Sequence, residues 1–195
     1  MLREANPNGK PNSDVLRPWC NALDLMRRAE GSWIIDFGTD IDEARVSGYA
    51  APFEHVARVV APARASYRTG KRAYWCFERP RPEMRRALSA HVRYIATPLV
   101  SKHRVFTWID TAVLPANLII VFARSDDYFF GVLHSSVHEL WARRLGTQLR
   151  EAESGSRYTP TTCFETFPLP WPPGKEPAPD DVAHGGAALQ RIATA

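Results

Sequence analysis

The chain has 195 residues, 45% of them hydrophobic and 24% charged, with a formal net charge of +4. This is the balance of a globular protein large enough to fold around its own core without cross-links, as one domain or one domain with a tail. Three widely spaced cysteines, Cys20, Cys76 and Cys163, exclude a disulfide framework or a zinc knuckle and read as reduced, cytoplasmic thiols. No apolar run approaches the roughly 20 residues that span a bilayer, and the N-terminus lacks the apolar stretch of a signal peptide, so no membrane partner is expected.

In chain order, residues 1–12 are turn chemistry (Asn6-Pro7-Asn8-Gly9-Lys10-Pro11-Asn12) and read as the end of a linker from a missing upstream domain. Ser13-Asp14 caps a short helix that Pro18 limits to about one turn. Ser32–Phe37 is a buried-strand candidate closed by Gly38. Helical spacing covers Asp40–Tyr49 and then Pro52–Val60, where Phe53, Val56, Val59 and Val60 form the apolar face. Pro82 opens a helix through Met84, Ala87 and Leu88. Strands are predicted at Arg93–Val100, Arg104–Asp110 and Leu118–Ala123.

One long helix is predicted from Asp127 to about Leu145, with a stripe of Phe129, Phe130, Val132, Leu133, Val137, Leu140, Trp141 and Leu145, and with Gly146 as its stop. Glu151–Thr162 reads as a polar loop and Cys163–Phe167 as a last short strand. Residues 171–195, rich in Pro, Gly and Ala, read as a tail with a short helix near Val182–Ile192. The class is α+β: a mixed or mainly antiparallel sheet with segregated helices. Trp33, Trp108, Phe122, Phe130 and Trp141 are its expected hydrophobic support.

Charge is segregated along the chain. Residues 64–104 hold eleven Lys/Arg and two acids, a local +9, while the remainder carries −5. Such a field attracts a polyanion, although a solvated basic face has the same composition. Three polar loops with cationic donors add to it: Tyr67–Arg72, Ser101–Arg104 and Arg157–Thr159. The second lies between two strand candidates, where a hairpin tip would present it outward. Together they point to nucleic acid, with Arg64, Arg68, Lys71, Arg72, Arg85 and Arg86 as candidate phosphate contacts. Lys102, His103, Arg104 and Arg157, with Tyr158 beside them, are the candidates for base edges.

Fragments that imitate active sites fail on inspection. Asp36-Phe37-Gly38 matches a kinase tripeptide without the accompanying loops and reads as a strand end. His134 and His138 have metal-compatible helical spacing but no third ligand, and read as packing or hydrogen-bonding residues. Asp36, Asp40, Asp42 and Glu43 lack the acid-x-lysine element of a nuclease, and acids in a first helical turn complement the macrodipole. No catalytic site is visible, and neither metal nor cofactor is expected in this chain.

Several strings in order carry a family resemblance: Asn12–Trp19, Asn21–Leu25, Trp33–Phe37, Arg79–Pro82, Arg93–Pro98, Ser101–Arg104, Asp126–Ser135, Arg157–Thr162 and Phe164–Pro168. They resemble the segment after the catalytic domain of class I adenine-specific DNA methyltransferases. More closely, they resemble the target-recognition region of type IIL restriction–modification enzymes, the MmeI-like family. The resemblance implies a DNA target-recognition domain over residues 13–170, non-catalytic and reading duplex DNA in the service of phage defence. It also implies an upstream domain of the same polypeptide that binds S-adenosylmethionine and methylates adenine N6, in some members with a nuclease. The alternative is a protein-interaction module docking on a methyltransferase or phage-defence subunit, for which the aromatic, proline-rich segment Phe164–Trp171 suits packing against another domain. An enzyme with an unrecognised site, or a fragment that binds nothing, stays open at this point.

Overall fold

The computed structural model describes residues 1–65, 72–148, 155–172 and 174–177. The strands are β1 (Leu16–Cys20), β2 (Trp33–Ile35), β3 (Arg93–Pro98), β4 (Val100–Ser101), β5 (Thr107–Asp110), β6 (Leu114–Pro115), β7 (Ile119–Phe122), β8 (Thr147–Gln148) and β9 (Ser156–Arg157). The helices are α1 (Glu43–Ser47), α2 (Ala50–Ala65), α3 (Pro82–Leu88), α4 (Asp127–His134) and α5 (Ser136–Leu145). They fall into two units: residues 1–19, 31–89 and 112–114 form the first, and residues 20–30, 90–111 and 115–195 the second.

The first unit is built on β1 and β2, antiparallel with Leu16 opposite Ile35 and Pro18 opposite Trp33; the sheet order is β2-β1-β6. The expected one-turn helix is a 3-10 turn at Asn12–Asp14. Within residues 1–12, expected as linker, Asn12 is fully buried and donates to the Met1 carbonyl (2.6 Å), while Asn6 Nδ2 donates to Asn12 Oδ1 (2.7 Å); the other ten are exposed. Asp42 caps α1 by accepting from the Arg45 amide at 2.8 Å, so this acid has a local structural task. Val15, Phe37, Val46, Tyr49 and Val56 form the core, lined by Phe53, Val60, Tyr74 and Trp75. Val59, expected on the same face, is 51% exposed. Trp33, expected as hydrophobic support, is 56% exposed on the edge strand β2.

In the second unit β3 is the central strand of a sheet ordered β5-β3-β7, with Ile95 opposite both Trp108 and Phe122. Tyr94, Ile95, Ala96 and Thr97 are completely buried, so both faces of this central strand are covered. A third sheet, β4-β9-β8, places Val100 and Thr147 opposite Arg157. The class is therefore α+β with antiparallel pairing, but the strands form three small sheets rather than one. The predicted hairpin around residues 101–104 does not exist: β4 and β5 belong to different sheets.

The long helix predicted over 127–145 is two helices. Ser135 has ψ 147°, and its hydroxyl accepts from the His138 amide, so it ends α4 and caps α5. The break resets the helical phase. Phe129, Val132 and Leu133 of α4 and His138 and Ala142 of α5 face inward, whereas Val137 and Leu140 are each 64% exposed. Residues Cys163–Phe167 are not a strand either. Pro160–Phe164 forms a π-type turn in which the Glu165 amide reaches the Pro160 carbonyl at 2.9 Å. It seats Cys163 in the core and Phe164 against Phe122, with ring centroids 5.0 Å apart. The segment Phe164–Trp171 thus packs on its own unit, with Phe167 against His138 (4.8 Å) and Trp171 near Tyr128 (5.9 Å). The predicted helix at 182–192 lies outside the described residues.

The break also separates His134 from His138, so the two do not share one helical face. His134 rests on Phe130 with centroids 4.3 Å apart. His138 is fully buried, and its Nδ1 lies 2.9 Å from the Leu133 carbonyl, which can accept only, so Nδ1 carries the proton. Its Nε2 is then left to accept from the Tyr158 hydroxyl at 3.1 Å. Burial holds His138 below the usual histidine range, with Arg104 and His134 adding repulsion against the bond to Leu133. A histidine kept neutral in the fold contributes stability above its unfolded pKa, and that contribution is lost as pH falls toward the folded value. The melting temperature is expected to drop as pH falls below about 6.5, and the slope should flatten in His138→Gln. Parallel pH profiles of both proteins in thermal melts would refute the assignment.

Candidate nucleic-acid interface

Arg104 organises the surface around β4, β9 and β8. Although expected at a base edge, it turns inward: Nη1 donates to Thr97 Oγ1 (3.1 Å) and to the Pro98 carbonyl, and Nη2 to the Ser156 carbonyl (2.9 Å). Its guanidinium lies 5.1 Å from the centre of the Tyr158 ring, and burial pushes it below the usual arginine range. One side chain therefore ties β3 and β9 together. Tyr158, the other residue expected outside, is 1% exposed, with its hydroxyl on His138. Burial holds that phenol well above the ordinary tyrosine range.

Lys102, His103 and Arg157 are what this frame leaves on the surface. All three side chains are exposed and have no hydrogen-bond or ionic partner among the described residues. Register holds Arg157 beside Val100, two residues from Lys102. Gly155 makes the approach feasible: at φ +84°, a Cβ there would sit 2.3 Å from the Ser101 carbonyl carbon and oxygen. These side chains therefore stand beside a close backbone-to-backbone approach, which suits contacts that must be placed rather than merely attracted.

The remaining candidates divide sharply. Half-buried Arg64 donates from Nη1 to the carbonyls of Ala73 (3.3 Å) and Cys76 (2.6 Å), closing the loop after α2. Arg85 holds Asp36 through two bonds, Nη1 to Oδ2 at 2.7 Å and Nη2 to Oδ1 at 3.1 Å, and gives its Nε to the Pro80 carbonyl. Asp36 also accepts from the Gly38 amide, so the kinase-like tripeptide is a strand end and an ion-pair anchor. Arg72 is exposed, with Nη1 3.4 Å from the Thr39 carbonyl, and Arg86 is exposed with no side-chain bond among the described residues. Arg68 and Lys71 lie outside the described residues. Arg93 stacks 3.9 Å over Trp108 and pairs with Asp127.

Sequence reasoning missed Arg79 and Arg81, both exposed. It also missed Gly155, whose glycine-between-serines setting was its one available signal. No described cysteine is set up for thiol chemistry: all three are free and buried, and burial with the Asp24 charge pushes Cys20 up to about 11.

The family described as "MmeI, target recognition domain" matches residues 11–171. The chain belongs to that family. No curated protein matches. The recognition domain is similar in fold to a solved structure of the type IIL restriction–modification enzyme MmeI in complex with DNA, with a TM-score of 0.53 and 22% identity. That likeness covers 87% of this chain and 22% of the MmeI chain. Membership makes this a target recognition domain, which is non-catalytic. Among the described residues no helix is long and apolar enough to cross a membrane.

Proposed function

We propose that this chain binds duplex DNA directly and reads its sequence, setting the specificity of a longer restriction–modification or adenine-N6 methyltransferase polypeptide. One observation carries the reading: Lys102, His103 and Arg157 stand exposed around one small sheet that Arg104 and Gly155 lock in place. Side-chain donors of this kind, on a strand and on the bend that follows its neighbour, can enter a major groove and hydrogen-bond to base edges. Arg72 and Arg86, with Arg68 and Lys71, supply phosphate contacts, which fix register without reading sequence. Arg104 and Tyr158 support the surface of the second unit from within. In this reading an upstream domain of the same polypeptide binds S-adenosylmethionine and methylates adenine, this chain holds no cofactor, and the protein works in the cytoplasm.

The test is a salt titration of duplex binding with the intact chain and with a Lys102→Glu/Arg157→Glu variant. Because both side chains are exposed, the variant should melt like the parent. The parent's affinity should fall steeply with salt, and the variant should bind at least about tenfold more weakly, with a shallower slope. A folded parent that ignores duplex DNA at low salt would refute direct reading. It would favour the second reading, docking on a partner protein, for which the exposed Val137 and Leu140 on α5 offer an apolar surface.

A further inference from the structure

The turn Arg79-Pro80-Arg81-Pro82 holds the one non-glycine residue with positive φ among those described, Arg81 at φ 54°, ψ 58°. Left-handed backbone crowds the Cβ of any residue but glycine. The following proline makes the position worse, because a residue before proline is pushed toward extended backbone. Asparagine, aspartate or glycine would meet the same backbone demand at lower cost.

The surroundings enforce the conformation. Pro80 is buried, and its carbonyl accepts from Arg85 Nε at 2.7 Å, while the Arg85 amide bonds to the Arg81 carbonyl at 3.1 Å. Arg85 is itself clamped on Asp36, which is 2% exposed. Neither the Arg81 side chain nor that of Arg79 has a bonding partner among the described residues, and both are exposed. The backbone is thus over-determined and the side chain is unused by the fold. Strain of this kind gathers where a ligand must be met.

We infer that Arg81 is a base-reading residue, held by the Asp36–Arg85–Pro80 chain of bonds so that its guanidinium meets the paired acceptors of a guanine edge. The inference rests on the DNA reading above. A phosphate contact would not need such placement, since a flexible lysine serves it equally well; a two-acceptor edge needs the planar fork. Arg85 and Asp36 act here as positioning residues, and Arg79 supplies charge beside them.

Three variants of the intact chain test this: Arg81→Gly, Arg81→Ala and Arg81→Lys, each measured for melting temperature and for selection from a random duplex pool. Glycine relieves the backbone and alanine does not, so Arg81→Gly should melt about 2–4 °C above Arg81→Ala. Both should lose about 10-fold in affinity for the parent's preferred duplex and relax selection at one base pair. Arg81→Lys should keep nonspecific binding and lose that same preference. Full affinity and selectivity in the glycine variant, or in the lysine variant, would overturn the assignment. Equal melting of Gly and Ala variants would overturn the strain behind it. A parent that binds no duplex at all would overturn the DNA reading first, and this inference with it.

Discussion

Arg104→Ala is expected to cost about 2–4 kcal/mol of stability and to abolish selective DNA binding together with it. The side chain satisfies the Pro98 and Ser156 carbonyls and Thr97 Oγ1, and its guanidinium covers the Tyr158 ring. Truncation leaves acceptors on the buried Thr97 and Pro98 and the half-buried Ser156 unpaired, and each costs about 1–3 kcal/mol when no water replaces the donor. The denaturant midpoint should fall with the m-value unchanged, since the folded core of β3 and β7 persists. Lysine keeps the charge but not the fork that reaches three acceptors, so Arg104→Lys should recover a minor part of the loss. A variant with parental stability and reduced DNA affinity would contradict the structural placement and return Arg104 to the contact surface.

The second large effect is expected at Arg85. Removing one partner of a buried ion pair strands the other, typically at about 3–5 kcal/mol. Asp36 is 2% exposed and Arg85 20%, so solvent does little to relieve the loss. Arg17 Nη1, 3.8 Å from Asp36 Oδ2, gives partial compensation and places Arg85→Ala near the lower end of that range. Converting the pair to Asp36→Asn/Arg85→Met should recover part of the stability, because the stranded charge is gone. Thermal melts of the single and double variants decide the point: a single variant within about 0.5 kcal/mol of the parent would mean a solvated Asp36 and no buried pair.

Local chemistry that needs few neighbours was legible in advance. Pro82 begins α3, Asp127 follows the cap of α4, Gly146 ends α5, and the apolar runs at 93–98 and 119–122 are strands. The ordered strings from Asn12 to Pro168 carried the family. The break at Ser135 was not legible, because an apolar stripe at helical spacing runs straight through it. A serine that caps a new helix leaves the same composition as one inside a continuing helix. The exposure of Val137 and Leu140 follows from that single residue's ψ.

Cation identity was readable, and cation use was not. The +9 of residues 64–104 is a property of composition, yet its arginines have divergent tasks. Arg64 closes a loop, Arg85 neutralises Asp36, Arg93 stacks on Trp108 and Arg104 ties strands together. A guanidinium carries five donors and no acceptor, so it binds a carbonyl, a carboxylate or a guanine edge by the same chemistry. The sequence by itself determined the class, the family and a surplus of such donors. Tertiary structure decided which donors find partners inside the protein, through pairings such as Asp36 with Arg85 and Ser156 with Arg104, 49 and 52 residues apart. Lys102, His103, Arg157 and Arg81 stay exposed because among the described residues no acceptor folds back to meet them, and that depends on distances no local sequence pattern records.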